Sequence, residues 1–153
     1  MSDSLDDFAR RLQQQIFEET KEAFGDAVFQ RWRNPLYMGT MQDPDGHARV
    51  HGKCGDTMEI FLKFDGARVE EALFQTDGCG SSMACGSFAA ELAMGKTPDQ
   101  LTEISGESIL QELGGLPEDQ RHCAFLAAET LETALHDYMM RKNKKTNPER
   151  RPS

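Results

Sequence analysis

Between Thr57 and Phe64 the apolar residues Met58, Ile60, Leu62 and Phe64 recur at every second position. Further along, Cys85, Phe88, Ala89 and Leu92 fall at i, i+3, i+4 and i+7. The first spacing lines one face of a pleated strand and the second lines one face of a helix. A chain ordered helix, strands, helices, with its period switching in mid-sequence, has few ways to bury both apolar faces. The expected class is α+β: a small three-stranded antiparallel sheet with helices packed on one face.

The remaining punctuation fits that frame. Leu5, Phe8, Ala9, Leu12 and Ile16 predict an amphipathic helix over residues 4–24, an extra N-terminal element. A shorter helical stretch over 26–32 ends at Asn34-Pro35, because the residue before proline avoids the helical region. Met41 to Gly46 is turn chemistry, and His47 to His51 reads as a short strand. Asp65-Gly66 marks a hairpin between Thr57–Phe64 and a return strand over Arg68–Thr76. The alternation of that return strand slips near Glu70-Glu71, as a bulge would make it do. Ser82 to Met94 is a helix, with Ser81 or Ser82 as its cap and Gly95 as its stop. Thr97-Pro98-Asp99-Gln100 is a capping box with proline at the first helical position. Ser105 to Leu113 is a further helix closed by Gly114-Gly115, and Leu116-Pro117-Glu118-Asp119 is a turn or a helix start. Ala124, Ala127, Ala128, Leu131, Leu135 and Tyr138 form the stripe of a long helix over 122–141.

The 153 residues suit one compact domain, and their net charge of −9 is unevenly placed. The stretch after Met140 carries six Lys/Arg and one Glu, so 11 basic face 25 acidic residues in the remainder. An acidic body disfavours nucleic acid as a partner, and the basic end reads as a solvated, disordered tail. The first thirty residues hold no apolar run of the kind a signal peptide needs, and no window approaches the roughly 18 apolar residues of a membrane span. The expected location is therefore the reducing cytoplasm. There the four cysteines, Cys54, Cys79, Cys85 and Cys123, point to metal or thiol chemistry rather than to disulfides, with buried, inert thiols the alternative that spacing alone leaves open, since no CxxC pair is present.

Three of the four stand at junctions between elements. Cys54 precedes Gly55-Asp56 just before a strand, Cys79 lies in Asp77-Gly78-Cys79-Gly80-Ser81 between a strand and a helix, and Cys123 follows His122 at the start of the last helix. Glycine beside a cysteine leaves room for a bulky guest near the backbone. A helix start favours negative charge, so Cys79 and Cys123 are placed to be thiolates, the form that binds metal. Asp56 is two residues from Cys54 and, in an extended segment, faces the same side. Three thiolates and one carboxylate form a four-ligand set that suits an iron–sulfur cluster and zinc alike. The carboxylate is the ligand most easily displaced from thiolate-held iron. Cys85 sits on the apolar face with Phe88 and Leu92 and reads as a buried small hydrophobe. His47, His51 and His136 read as ordinary strand or surface histidines.

Cys54-Gly55-Asp56, Gly78-Cys79-Gly80-Ser81 and His122-Cys123, in that order, resemble the three signature motifs of the iron–sulfur cluster scaffold family, the NifU N-terminal or IscU type. Asn34-Pro35 and Gly95-Lys96-Thr97 fit the same pattern, and the likeness spans roughly residues 27–140. The resemblance implies a division into an N-terminal helix extension (1–25), a scaffold domain (26–140) and a basic tail (141–153). It implies that Cys54, Cys79 and Cys123 ligate a transient 2Fe–2S cluster, and that Asp56 is the labile ligand governing release. His122 is then an alternative ligand or proton acceptor, and Cys123 the sulfur acceptor. The implied partners are a cysteine desulfurase and apo iron–sulfur proteins, for a scaffold rather than an enzyme. The sequence leaves a monomer or a homo-oligomer open. Scaffolds served by a dedicated chaperone carry Leu-Pro-Pro-Val-Lys before the last cysteine. This chain has Leu116-Pro117-Glu118-Asp119-Gln120, so a chaperone partner does not follow.

Two other functions compete. A zinc-bound sulfur acceptor that activates a desulfurase shares the Cys-Gly-Asp and Gly-Cys signatures. It typically has arginine before the last cysteine and a long insertion, where this chain has His122 and none. A cysteine hydrolase built on Cys79 or Cys123 needs a base and an oxyanion hole, and no complete set stands in the sequence.

Overall fold

The computed structural model describes residues 5, 7–12, 14–15, 30–31, 33–53, 55–78 and 80–146, with side chains through residue 143. Strands β1 (Gly46–His51), β2 (Thr57–Asp65) and β3 (Arg68–Thr76) form an antiparallel meander in the order β1-β2-β3. Helices α1 (Gly80–Ala93), α2 (Pro98–Leu101), α3 (Gly106–Leu113) and α4 (His122–Thr146) follow, with a 3-10 turn at Glu118–Gln120. The expected α+β class is the one observed.

The period-2 pattern does what its spacing dictates. Met58, Ile60 and Leu62 all lie at zero exposure on one face of β2. Ala48 of β1 and Phe74 of β3 flank Ile60 in register, so the three strands present one apolar surface. Ala84, Phe88, Ala89 and Ala93 of α1, Ile109 and Leu113 of α3, and Ala124, Ala127 and Leu131 of α4 complete the core against it. Each large side chain fully buried there contributes roughly 1.5–3 kcal/mol. Alanine dominates the helix faces, which lets the helix backbones approach the sheet closely. At Gly46 the approach is closest: a Cβ there would stand 2.5 Å from the carbonyl oxygen of Ala134 and 2.9 Å from Cβ of Tyr138. Tyr138 in turn stacks on Phe64, ring centroids 3.7 Å apart.

The hairpin turns at Gly66-Ala67, and the expected bulge is present. Lys63 pairs with Glu71 but Phe64 with Val69, leaving Glu70 as the extra residue. Thr97 and Gln100 form the capping box, and Ser105 caps α3. Neither Ser81 nor Ser82 caps α1. The helix begins earlier, at Gly80, and both serines are buried inside its first turn.

Two features have no counterpart in the sequence reading. Phe74 donates its amide to the Tyr37 carbonyl and accepts from the Gly39 amide, each at 2.9 Å, so Tyr37–Gly39 adds a parallel bridge to the outer edge of β3. Arg31 places its guanidinium 4.0 Å over the Phe88 ring and bonds Ser87 Oγ and both Glu91 oxygens at 2.9 Å, which ties the segment before the sheet to α1.

The tail needs a correction. Residues 141–146 were expected to be disordered, yet α4 runs to Thr146. Arg141 pairs with Asp137 one turn back and bonds the Pro44 carbonyl. Of the N-terminal helix expected over 4–24, residues 5, 7–12 and 14–15 are helical, with Leu5, Phe8 and Leu12 exposed; the rest lies outside the described residues. Of the stretch 26–32, Gln30 and Arg31 are helical and the others lie outside. Among the described residues no helix is long and apolar enough to cross a membrane.

Gly46→Ala forces α4 away from β1 against a backbone atom that cannot rotate aside. Urea unfolding is expected to show a loss of about 1–3 kcal/mol. An unchanged midpoint would contradict the close packing of α4 on β1.

Candidate metal centre

The meander brings distant parts of the chain to one end of the sheet. β1 runs up to His51, β2 starts beside it at Thr57, and β3 returns to Thr76 opposite Met58. The loop between β1 and β2 is closed by Gly52 N donating to the Asp56 carbonyl at 2.8 Å and Gly55 N donating to the Gly52 carbonyl at 3.1 Å. The exit of β3 is pinned to the same place. Thr57 N donates to Asp77 Oδ1 at 2.7 Å, Thr76 Oγ1 donates to the Thr57 carbonyl at 2.7 Å, and Gly78 N donates to Thr76 Oγ1 at 3.1 Å. α4 starts at this end with exposed His122 and fully buried Cys123.

Of the five expected ligands, the structure gathers three. One oxygen of Asp56, one ring nitrogen of His122 and Sγ of Cys123 all lie within 4.8 Å of one another. Cys54 and Cys79 lie outside the described residues. Their described neighbours, Gly55 and Gly78, border the same cluster: a Cβ on Gly78 would stand 2.6 Å from Asp56 Oδ2. Cys85 is buried and, like Cys123, in no disulfide, as expected of a small core residue.

Asp56 reaches the cluster by a different route from the one its spacing suggested. The extended-chain argument fails at Gly55, whose φ of 94° turns the backbone. The carboxylate is aimed instead by Ser82, whose hydroxyl donates to Asp56 Oδ2 at 2.7 Å. The same hydroxyl lies 3.4 Å from Cys123 Sγ. Ser82 thus links the carboxylate and the thiol, and it was missed because serine after glycine at a helix start reads first as a cap. Gly78 supplies the gap in which the pair sits: any side chain there would also meet Ser82 Oγ at 2.6 Å. A carboxylate and a thiolate held this close repel each other, and a cation among them removes the repulsion. Sulfur, oxygen and imidazole nitrogen together suit zinc or iron rather than magnesium or calcium.

His47 and His51 take no part. His47 Nε2 sits 2.6 Å from Glu59 on the outer sheet face, and His51 Nδ1 sits 2.8 Å from Thr57 Oγ1. Beside His122 an open depression of about 410 Å³ is lined by Gly52, Lys53, Phe125, Leu126 and Glu129.

Comparison with known proteins gives the family and the fold. Residues 23–145 match the family model of the NifU-like N terminal domain. The iron-sulfur cluster assembly scaffold protein IscU 1 of Archaeoglobus fulgidus is 41% identical over 123 residues, 80% of each chain. The scaffold protein IscU of Azotobacter vinelandii is 35% identical over 125 residues, 78% of this chain and 97% of that one. In fold, the crystal structure of a nitrogen-fixing NifU-like protein (N-terminal) from Brucella abortus superposes with a TM-score of 0.63 at 22% identity, covering 78% of this chain and 96% of that one.

Gly78→Ala fills the gap that the Asp56–Ser82 pair occupies. Anaerobic cobalt(II) titration, followed by thiolate-to-metal absorption, is expected to show affinity about tenfold weaker, or about 1.4 kcal/mol, with far-ultraviolet circular dichroism unchanged. Wild-type affinity would remove Gly78 from the site.

Proposed function

The chain belongs to the family of the NifU-like N-terminal domain, and from that premise we propose that it is a scaffold on which a 2Fe–2S cluster is assembled and from which it passes to apo-proteins. The observation that carries this reading is the meeting of Asp56, His122 and Cys123 ligand atoms within 4.8 Å at the end of the sheet. Cys54 and Cys79 supply the other two thiolates, and Cys123 accepts the sulfur. Cys123 is fully buried and stands in the first turn of α4, where the helix N-terminus favours the thiolate.

Sulfur comes from a cysteine desulfurase, and apo iron–sulfur proteins are the recipients. The scaffold domain is residues 26–140, inside the matched span 23–145. Residues 1–25 extend it at one end and the basic residues 141–153 at the other, with α4 reaching into the latter as far as Thr146. A reducing cytoplasm keeps the thiols available. The same donors satisfy a tetrahedral zinc ion, so zinc competes for the site in purified protein. A desulfurase that turns over faster only with the zinc-loaded chain would favour the sulfur-acceptor reading instead.

Cys54→Ala, Cys79→Ala and Cys123→Ala are each expected to abolish the visible circular dichroism of a cluster reconstituted from ferrous iron, cysteine and desulfurase. Retention of a wild-type cluster by all three would refute the ligand assignment. Asp56→Ala is expected to lengthen the lifetime of the cluster. His122 lies close enough to take the vacated position, and its nitrogen is a softer ligand than the carboxylate. A shorter lifetime would contradict the role given to Asp56.

A further inference from the structure

The geometry points to Ser82 as the residue that lets Asp56 let go of its cargo, an inference that rests on the scaffold reading above. Ser82 is fully buried, and its hydroxyl has two acceptors within reach, Asp56 Oδ2 at 2.7 Å and Cys123 Sγ at 3.4 Å. A hydroxyl carries one proton and serves one of them well at a time. Of the two, the shorter, charge-assisted bond goes to the carboxylate, and bonds of that kind are roughly twice as strong as neutral ones.

This bond gives a departing carboxylate a defined place to go. A metal bond to one Asp56 oxygen draws charge from the carboxylate and weakens what Ser82 can give it; once that bond breaks, the full charge falls to the hydrogen bond from Ser82. That hydrogen bond is built in advance, at the half-buried edge of the core and against the bare backbone of Gly78. During transfer, a thiolate of the recipient forms a bond to iron and the Asp56 oxygen–iron bond breaks. The carboxylate stays ionised and takes up the Ser82 hydrogen bond, so no proton or electron changes hands. While Asp56 is on the metal, the hydroxyl can turn to Cys123 Sγ, so it is satisfied in both states. Hydrogen bonds to ligand sulfur tune how strongly that sulfur donates. Without the hydroxyl, the displaced carboxylate would lie partly buried with that partner missing, and its departure from iron would be uphill. Ser82 is therefore a positioning residue that speeds release.

The test is the first-order decay of visible circular dichroism after the reconstituted 2Fe–2S protein is mixed with excess apo-ferredoxin. It is run on wild type, Ser82→Ala, Ser82→Thr, Asp56→Ala and the Asp56→Ala/Ser82→Ala double variant. Ser82→Ala is expected to decay about tenfold more slowly, the factor equal to about 1.4 kcal/mol. Ser82→Thr keeps the hydroxyl and is expected to decay at the wild-type rate. In the double variant, Ser82→Ala is expected to add nothing to Asp56→Ala, because its effect runs through that carboxylate. Decay of Ser82→Ala at or above the wild-type rate, or slowing of equal size in both backgrounds, would overturn the inference, as would slow decay of Ser82→Thr. Wild-type decay of Asp56→Ala would instead overturn the labile-ligand reading on which the inference stands.

Discussion

The register of a three-stranded antiparallel meander is the constraint from which the site follows. Because β2 is paired on both sides, the start of β2 must lie beside the end of β1 and the end of β3. The Thr57–Asp77 hydrogen bonds fix this to the residue. The loop carrying Asp56 and the junction leading to Ser82 therefore meet without any long connection. The apolar face of the same strands sets the third member. α4 lies along β1, with Leu126 beside Gly52 at the site end and Ala134 and Tyr138 against Gly46 at the other. That packing delivers Cys123, buried, to the point where the two loops converge. A one-residue slip of β2 would turn Met58, Ile60 and Leu62 to solvent, so the burial that holds the fold also holds the site in place.

Much of this was legible in the sequence because the relevant signals are periodic or local. The switch from period 2 to period 3.6 gave the class, and Asp65-Gly66, Thr97–Gln100 and Gly114-Gly115 gave the boundaries. The slip at Glu70 in the alternation gave the bulge. What stayed hidden depends on contacts between distant segments. No local pattern announces that Tyr37–Gly39 will pair with Phe74, or that Arg31 will straddle Phe88 and Glu91. The tail was misjudged for a related reason. Its composition suggests solvation, but Arg141 gains Asp137 and the Pro44 carbonyl once α4 lies on the sheet.

The site shows the same division. Asp56, His122 and Cys123 were legible as motif residues, and the structure brings them together. The reason given for the aim of Asp56 was incomplete, because Gly55 turns the backbone and a hydrogen bond from Ser82 does the aiming. A serine at a helix start is so often a cap that its other possible acceptors, a carboxylate 26 residues away and a sulfur 41 residues away, cannot be read from spacing. The resulting arrangement sets a buried thiol beside a carboxylate that already has a hydrogen-bond partner, and in the proposed reading the first retains the guest and the second lets it go. A scaffold for a transient cluster needs both: retention while the cluster is built, and a ligand that leaves.

The most direct measurement is a time course of the cluster's visible circular dichroism after anaerobic assembly by a cysteine desulfurase, with apo-ferredoxin added and an iron chelator present. The scaffold account predicts that the signal fades at the rate at which ferredoxin activity appears, with little iron reaching the chelator. A chain that forms no cluster, or loses its iron to the chelator while ferredoxin stays inactive, would contradict it.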